Sequence, residues 1–221
     1  RNEIDAGLVP IVELFGSRRY LVVDEVAIAS DGPVRSVILA HKKPLPQISR
    51  IVADPASRTS VLLLRLLLAE FHGLDTELVE HDPDPDAARL LIGNQALAFR
   101  SRAPEFTFFD LGEEWSRHTA LPFVYAAWLL RTEIADAVPS VSNAFRKLKR
   151  DGLAALSAIL AAGDKKPEES AIPRAIRQQY LQQNIHFDLG PREKEGMFRF
   201  RELLRKHALI DPEAGHPIEF V

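Results

Sequence analysis

Three hydroxyls and one guanidinium crowd a short segment of the chain, Ser57-Arg58-Thr59-Ser60, directly ahead of a leucine-rich run. The breaker Asp54-Pro55 precedes this segment, which is therefore predicted to open a helix. The unpaired N–H groups and the dipole of a helix N-terminus attract anions, so a substrate carboxylate would bind well there. An ordinary capping role for Ser57 or Ser60 is the alternative, because serine is among the commonest caps.

Two further segments place small polar groups where strands are predicted to begin or end. Leu91-Ile92-Gly93-Asn94 predicts a strand end and a glycine turn, a position at which α/β folds present groups to ligands. Ser30-Asp31-Gly32-Pro33 predicts a turn, and Ser36 follows it at the start of a strand, where its hydroxyl can face a cleft. Asn94 can equally close its own turn, and Ser36 can equally form a hydrogen bond inside the fold.

Other catalytic chemistries find little support in the sequence. There is no cysteine, and the seven histidines form no i,i+4 pair and no H-E-x-x-H pattern. G-x-G-x-x-G, P-loop and G-x-S-x-G motifs are absent. The adjacent acids Glu113 and Glu114 are predicted to lie in the first turn of a helix, where they suit the dipole. The sequence therefore predicts no metal site, nucleotide site or hydrolase triad.

Composition limits the partners. The 221 residues are 46% apolar, enough for one large core or two modest ones. The net charge of −3 comes from 28 basic and 31 acidic side chains that are mixed along the chain, which argues against a nucleic-acid partner. The longest apolar runs, at 61–69 and 120–130, fall short of the ~20 residues that span a bilayer. Absence of cysteine fits a reducing compartment.

The elements that must position these groups follow from periodicity. Strands are predicted at 4–10, 22–29 and 34–40, followed by a charged connector at 42–47. The next stretch alternates strand and helix, which indicates an α/β unit with largely parallel pairing. Its predicted elements are strand 51–53, helix 59–71 ending at His72-Gly73, and strands 76–79, 90–92 and 107–111.

The rest of the chain is predicted to complete a discontinuous lobe. Residues 121–130 are apolar on both faces, as in a central buried strand or a strand that leads into a helix, and amphipathic helices follow. An α/β block thus lies between two flanking segments, which must pack together to form one lobe. We expect one lobe from 1–47 and 115–221 and an inserted lobe from 48–114, with hinges near 43–48 and 114–121. Proteins of this kind bind ligands in the cleft between the lobes.

Five stretches, taken in order, resemble one family. They are I-D-A-G-L-V-P at 4–10, G-P-V-R-S-V at 32–37, S-R-T-S at 57–60, L-L-I-G-N-Q-A-L at 90–97 and D-L-G-E-E-W-S-R-H-T-A-L-P-F-V-Y-A-A-W at 110–128. Their order and spacing are similar to those of the menaquinone-pathway chorismate dehydratases. N-I-H-F-D-L-G at 184–190 fits as well, so the resemblance spans nearly the whole chain.

This resemblance implies an α/β, two-lobed fold like that of type II periplasmic binding proteins, with a mixed sheet in each lobe. It also implies a cytoplasmic lyase that eliminates water from chorismate to give 3-[(1-carboxyvinyl)oxy]benzoate, without a metal, a nicotinamide or any other cofactor. Family members begin with a strand-helix-strand segment that carries a Y-L-N-type motif. We expect that segment to be missing ahead of Arg1.

The resemblance also assigns roles to residues. Ser36, the serine of G-P-V-R-S, would line the active site as the catalytic residue. The residues expected to bind substrate are Ser57, Arg58, Thr59, Ser60, Gly93, Asn94 and Thr119. Two positions depart from the family pattern, which reads L-L-I-G-D where this chain has Asn94 and T-G-L-P-F-V where it has Ala120.

Two alternative functions share the expected fold. The dihydroxynaphthoate synthases of the same pathway use a cleft histidine, and none of the seven histidines here sits in a matching motif. The second alternative is a non-catalytic solute-binding protein for an aromatic carboxylate. A secretion signal would favour that binding protein, whereas its absence favours the enzyme.

Overall fold

The computed structural model describes residues 4–16, 18–54, 57–166, 172–211, 213 and 215–221, so Pro55 and Ala56 of the predicted helix-start motif lie outside the described residues. The strands are β1 (Ala6–Pro10), β2 (Tyr20–Ser30), β3 (Val37–His41), β4 (Arg50–Val52), β5 (Glu77–Val79), β6 (Ala88–Ile92), β7 (Thr107–Asp110), β8 (Phe123–Arg131) and β9 (Glu219–Phe220). The α-helices are α1 (Arg58–His72), α2 (Gly93–Arg102), α3 (Leu111–Thr119), α4 (Val138–Ala154), α5 (Leu156–Gly163), α6 (Arg174–Gln179) and α7 (Pro191–Lys206). Shorter helical turns are the 3₁₀ segments Ile11–Phe15, Leu45–Gln47 and Thr132–Ala137 and the π segment Tyr180–Asn184.

The first sheet has four strands in the order β1-β8-β2-β9. Strand β8 is antiparallel to both β1 and β2, and β9 joins the far side of β2 in parallel. Phe123, Val124, Ala127 and Leu130 of β8 are buried. The predicted buried strand at 121–130 is therefore confirmed, because a strand with two neighbours and covered faces needs apolar side chains in both directions.

The second sheet has five strands in the order β5-β4-β6-β3-β7. Strand β4 is parallel to β5 and β6, whereas β3 is antiparallel to β6 and β7. Both sheets are therefore mixed, as expected. The expectation of largely parallel pairing is wrong for this block, because β3 enters it from outside and runs against both of its neighbours.

The position of β3 also bears on the expected lobe boundary. All five residues of Val37–His41 are buried in the five-stranded sheet, although the sequence placed them in the lobe that contains β1 and β2. The chain thus first passes between the sheets at 31–36, and it returns through α3 into β8. We propose these two passages, rather than 43–48, as the crossings between two lobes.

Helix α1 follows its predicted course. Leu63, Leu64, Leu66 and Leu67 are buried against the core, and the helix ends where Gly73 adopts a left-handed conformation with φ of 63°. Ser57 occupies the N-cap position, but its hydroxyl makes no capping hydrogen bond. Within the described chain, no helix combines the length and the apolar character that crossing a membrane requires.

One continuous core joins the two sheets. It includes Val22 of β2, Leu39 of β3, Leu67 of α1, Trp115 of α3 and Phe200 of α7, all of them buried. The ring of Trp115 meets that of Phe200 edge to face at 5.8 Å between centroids. Burying each such side chain contributes about 1.5–3 kcal/mol, so the shared core fixes how the two sheets face each other.

Helix α7 approaches the chain ahead of β8 very closely at Gly196. A Cβ atom at this position would lie 2.1 Å from the carbonyl oxygen of Pro122. The indole Nε1 of Trp115 donates a hydrogen bond of 3.2 Å to the same oxygen. Only glycine allows α7 to pack at this distance.

We expect Gly196→Ala to lower the free energy of unfolding by about 1–3 kcal/mol, because the added methyl overpacks the contact with Pro122. Urea denaturation measures this change. Gly152→Ala in α4 is the matched control, since nothing lies within 4 Å of the added Cβ and alanine favours a helix by about 0.5–1 kcal/mol. Equal unfolding free energies for the two variants would contradict the close approach.

Candidate functional site

A cleft of about 350 Å³ opens where the two sheets face each other. Its walls are largely apolar and come from both sheets: Val9 of β1, Ile28 of β2 and Val37 of β3, with Ile185 from the C-terminal part of the chain. A few polar groups converge on this apolar surface, and their positions decide what the cleft can bind. The volume lies in the range of about 300–1,000 Å³ that is typical of small-molecule sites.

Ser36 is held at this cleft by two hydrogen bonds of its own and by one of the preceding residue. Its hydroxyl donates to the phenolic oxygen of Tyr180 at 3.0 Å. Its carbonyl oxygen accepts from the amide of Gly93 at 2.7 Å, and the amide of the preceding Arg35 donates to Asp110 at 2.7 Å. Because Ser36 is 3% exposed and fixed on each side, its hydroxyl direction is set before any ligand arrives.

The carboxylate of Asp110 organises the crossing segment next to Ser36. One of its oxygens accepts from the amides of Val34 at 3.0 Å, Gly112 at 3.1 Å and Glu113 at 3.2 Å. The other accepts from the amide of Arg35. A single buried side chain therefore caps α3 and ties the crossing segment to it.

Arg35 needs that support. Its φ of 62° lies in the left-handed region, which residues other than glycine seldom adopt. Such a conformation persists where the surroundings impose it, and here the bond from the Arg35 amide to Asp110 supplies the constraint. The turn directs the next residue, Ser36, toward the cleft.

Two tyrosines carry the polar part of the cleft wall. Tyr180 accepts from Ser36, and Tyr125 shares a hydrogen bond of 3.1 Å with the hydroxyl of Ser30. Burial raises the pKa of Tyr180 above its ordinary value, against the opposing effect of the Ser36 hydrogen bond. Burial likewise raises the pKa of Tyr125. Both phenols are therefore neutral near pH 7 and act as hydrogen-bonding groups.

The N-terminus of α1 forms another part of the cleft. Thr59 and Ser60 are buried there, and Oγ1 of Thr59 has no hydrogen-bond partner within the described part of the chain. Amides in the first helical turn have no intrahelical acceptor. Arg58 lies at the same edge and forms an ion pair with Glu13 of the 3₁₀ segment that follows β1. This corner combines donors and positive charge, which suits a carboxylate.

The structure brings most of the predicted residues together. Ser36, Ser57, Arg58, Thr59, Ser60 and Gly93 all line the cleft. Gly93 adopts a φ of 58°, and its amide is committed to Ser36. Asn94 is exposed in an adjoining depression that shares Ser57, Ile92 and Gly93 with the cleft.

Thr119 is not brought to the cleft. It lies in the last turn of α3, where its hydroxyl donates to the carbonyl of Trp115 at 2.8 Å and accepts from the amide of Leu121 at 3.2 Å. Because these bonds serve the end of the helix, the proposed site omits Thr119. The neighbouring Ala120 occupies the left-handed C-cap with φ of 57°, a position that glycine favours.

Sequence reasoning missed Tyr180 and Asp110. The spacing of Asp110 and Glu113 at a predicted strand-to-helix junction matches a capping box, and this signal could have identified the cap. That pattern does not predict that the Asp110 carboxylate also accepts hydrogen bonds from the amides of Val34 and Arg35. Tyr180 lies 144 residues from Ser36, and no local pattern links the two.

Sequence comparison relates the chain to a family model and to curated proteins. A family model described as menaquinone biosynthesis matches residues 1–206. Over 202 residues the chain is 31% identical to a chorismate dehydratase of Thermus thermophilus, and the match covers 83% of this chain and 73% of that protein.

Solved structures of similar shape agree on the fold. A protein of Archaeoglobus fulgidus superposes with a TM-score of 0.72 at 17% identity, covering 94% of this chain and 81% of that one. The periplasmic aliphatic sulphonate binding protein of Escherichia coli superposes with a TM-score of 0.64 at 13% identity, covering 96% and 78%. The chain therefore has a periplasmic-binding-protein-like fold, as the sequence predicts.

We expect Asp110→Ala to lower the free energy of unfolding by about 3 kcal/mol, because four amides lose a buried charged acceptor. Urea denaturation of the purified protein gives this value. Asp86→Ala is the matched control, since Asp86 pairs with Lys42 on the surface and such pairs contribute at most about 1 kcal/mol. A loss for Asp110→Ala no larger than that of the control would show that the carboxylate does not organise the crossing.

Proposed function

Because the chain belongs to the menaquinone biosynthesis family, we propose that it is a chorismate dehydratase, which eliminates water from chorismate to give 3-[(1-carboxyvinyl)oxy]benzoate. The relationship to the Thermus thermophilus dehydratase supports this assignment. The observation that carries it is the arrangement of the cleft, in which the Ser36–Tyr180 hydroxyl pair and the donors of the α1 N-terminus line one apolar space. The proposed enzyme is a cytoplasmic lyase.

The proposed reaction makes modest chemical demands. Chorismate is a cyclohexadiene that carries one carboxylate and a hydroxyl on the ring, and a second carboxylate on its enolpyruvyl ether. A proton leaves the ring carbon that bears the enolpyruvyl ether, and hydroxide leaves the neighbouring carbon. Together they form one water while the ring becomes aromatic, which supplies the driving force. The protein has to hold the carboxylates, orient the leaving hydroxyl and limit the access of water.

We assign carboxylate binding to the N-terminus of α1. Thr59 and Ser60 present hydroxyls there, and the first-turn amides and the helix dipole favour negative charge. The unpartnered Oγ1 of Thr59 gains a hydrogen bond when a carboxylate binds. Arg58 lies at the edge of the cleft, where its largely exposed guanidinium pairs with Glu13 and can turn toward a bound carboxylate.

We assign the leaving hydroxyl to the Ser36–Tyr180 pair. The two hydroxyls share one hydrogen bond, so after Ser36 donates to Tyr180 the phenol retains its own hydrogen for the substrate. The raised pKa of Tyr180 keeps that hydrogen in place at neutral pH. Fixed donors of this kind stabilise charge that develops on a departing oxygen without reorganising during the reaction.

The two-lobed arrangement fits water exclusion. Residues of both sheets line the cleft, and the crossings at 31–36 and through α3 connect the lobes beside it. We propose that closure of the lobes over chorismate removes water from the apolar walls, which strengthens the hydrogen bonds from Tyr180 and Thr59 to the substrate.

The lining of the cleft also bears on the rival enzyme. Among the described residues that line it, none is a histidine. A dihydroxynaphthoate synthase that depends on a cleft histidine is therefore less well supported than the dehydratase.

The direct test incubates the full-length protein with chorismate in the absence of added metal and nucleotide. Mass spectrometry should detect a product lighter by one water that co-elutes with 3-[(1-carboxyvinyl)oxy]benzoate. Circular dichroism establishes that the protein is folded. Intact chorismate after prolonged incubation with folded protein would contradict the proposed activity.

In the same assay, we expect Ser36→Ala to lower turnover by about tenfold or more, because the phenol of Tyr180 loses the hydrogen bond that orients it toward the leaving hydroxyl, and losing one preorganised donor has effects of this order or larger. Ser140→Ala is the control, because Ser140 is exposed on α4 and its hydroxyl donates to the backbone carbonyl of Ala137 in the turn before it. Unchanged turnover in Ser36→Ala would remove Ser36 from its proposed role.

A further inference from the structure

Three potential metal ligands meet on the side of α3 that packs against α1. His72 is the last residue of α1, and Glu114 and His118 lie one turn apart on α3. Nε2 of His72 lies 3.4 Å from Oε2 of Glu114, and Nε2 of His118 lies 3.6 Å from the same oxygen. None of the three lines the cleft, so this cluster is separate from the proposed active site.

The spacing of the ligand atoms fits a small divalent ion. Ligand atoms placed about 2.1 Å from a tetrahedral zinc are about 3.4 Å apart. The two histidine-to-glutamate distances are 3.4 and 3.6 Å, and all three ligand atoms lie within 4.8 Å of one another. Two imidazoles and a carboxylate are also a ligand set that zinc accepts, with a fourth position open to water.

Hydrogen bonding does not explain the position of the His72 ring. Its Nε2 is buried and has no hydrogen-bond partner among the described residues, which is costly for a ring nitrogen. Aromatic packing fixes the two rings instead. His118 stacks on Phe71 at 4.2 Å between centroids, and His72 meets Phe109 edge to face at 5.4 Å. The imidazoles are thus oriented before any ion binds.

Arg117 is the group that competes with a cation for this site. Its guanidinium donates to Oε2 of Glu114, and its side chain is 56% exposed. Because the guanidinium is largely exposed, Arg117 can turn into solvent when a bound cation replaces it as the counter-charge of Glu114. Without a metal, it neutralises the buried carboxylate of Glu114.

We propose that His72, Glu114 and His118 bind a divalent transition metal of the zinc class, which clamps the C-terminal end of α1 to α3. The site is structural and does not depend on the proposed function. It lies at the opposite end of α1 from Thr59, and on the helix whose first turn is capped by Asp110. A bound ion would therefore hold α1, whose N-terminus lines the cleft, in register with α3, whose cap Asp110 fixes the crossing segment beside Ser36.

The test uses the full chain, treated with EDTA and dialysed, with zinc ion alone as the probe. Isothermal titration calorimetry should show one equivalent bound, and the Tm should rise with zinc concentration because the ion binds the folded state. Changing even an outer-shell partner costs about 10–100-fold in affinity, so His72→Ala and His118→Ala should each weaken binding by at least about tenfold.

Two matched variants separate a metal site from a simple electrostatic contact. Arg117→Ala removes the competitor and should bind zinc at least as tightly as the wild type. His81→Ala, at an exposed histidine elsewhere, should bind as the wild type does. If a histidine variant fails to fold without zinc, the visible absorption of tetrahedral Co²⁺ in the wild type and in Arg117→Ala still tests the site.

Several results would contradict the proposed zinc site. Absence of saturable zinc binding to the wild type would remove the site. Wild-type affinity in both His72→Ala and His118→Ala, or an equal loss in His81→Ala, would place the bound ion elsewhere on the surface. An octahedral rather than a tetrahedral Co²⁺ spectrum would also contradict the proposed ligand set.

Discussion

The buried carboxylate of Asp110 is the constraint on which the rest of the site depends. It accepts hydrogen bonds from four backbone amides, two in the first turn of α3 and two in the segment that crosses between the sheets. The amides of a segment that crosses between two sheets cannot pair with a strand of either sheet. A buried amide without a hydrogen bond lowers the stability of the fold. One side chain meets this demand, and in doing so it permits the left-handed turn at Arg35 that points Ser36 into the cleft.

The remaining polar groups of the cleft are fixed in the same way. Ser36 is tied to Gly93 through its carbonyl and to Tyr180 through its hydroxyl, so three distant segments meet at a single residue. The apolar core beneath is continuous from one sheet to the other, and it holds together the two sheets whose residues line the cleft with Thr59. A cleft whose donors are already oriented spends little free energy on ordering them when a ligand binds.

Local patterns in the sequence predicted the elements well. Alternating and continuous apolar runs located β2, β4, β6, β7 and β8, and the breaker and the leucine-rich periodicity located α1. They failed where tertiary pairing decides the outcome. Residues 34–40 have the pattern of a strand, but nothing local shows that β3 pairs with β6 and β7 rather than with β1 and β2. Ser36, Thr59 and Gly93 could be predicted as cleft residues because each lies at an element boundary, and all three line the cleft. Tyr180 was missed because its role depends on a contact made 144 residues away.

The most direct test of the account is a crystal structure of the protein with 3-[(1-carboxyvinyl)oxy]benzoate bound. We predict one carboxylate within hydrogen-bond distance of Oγ1 of Thr59 and the first-turn amides of α1, with the ring edge that has lost its hydroxyl facing the Ser36–Tyr180 pair. Product bound outside the cleft, or bound in it with Thr59 still unpartnered and Ser36 turned away, would contradict the account.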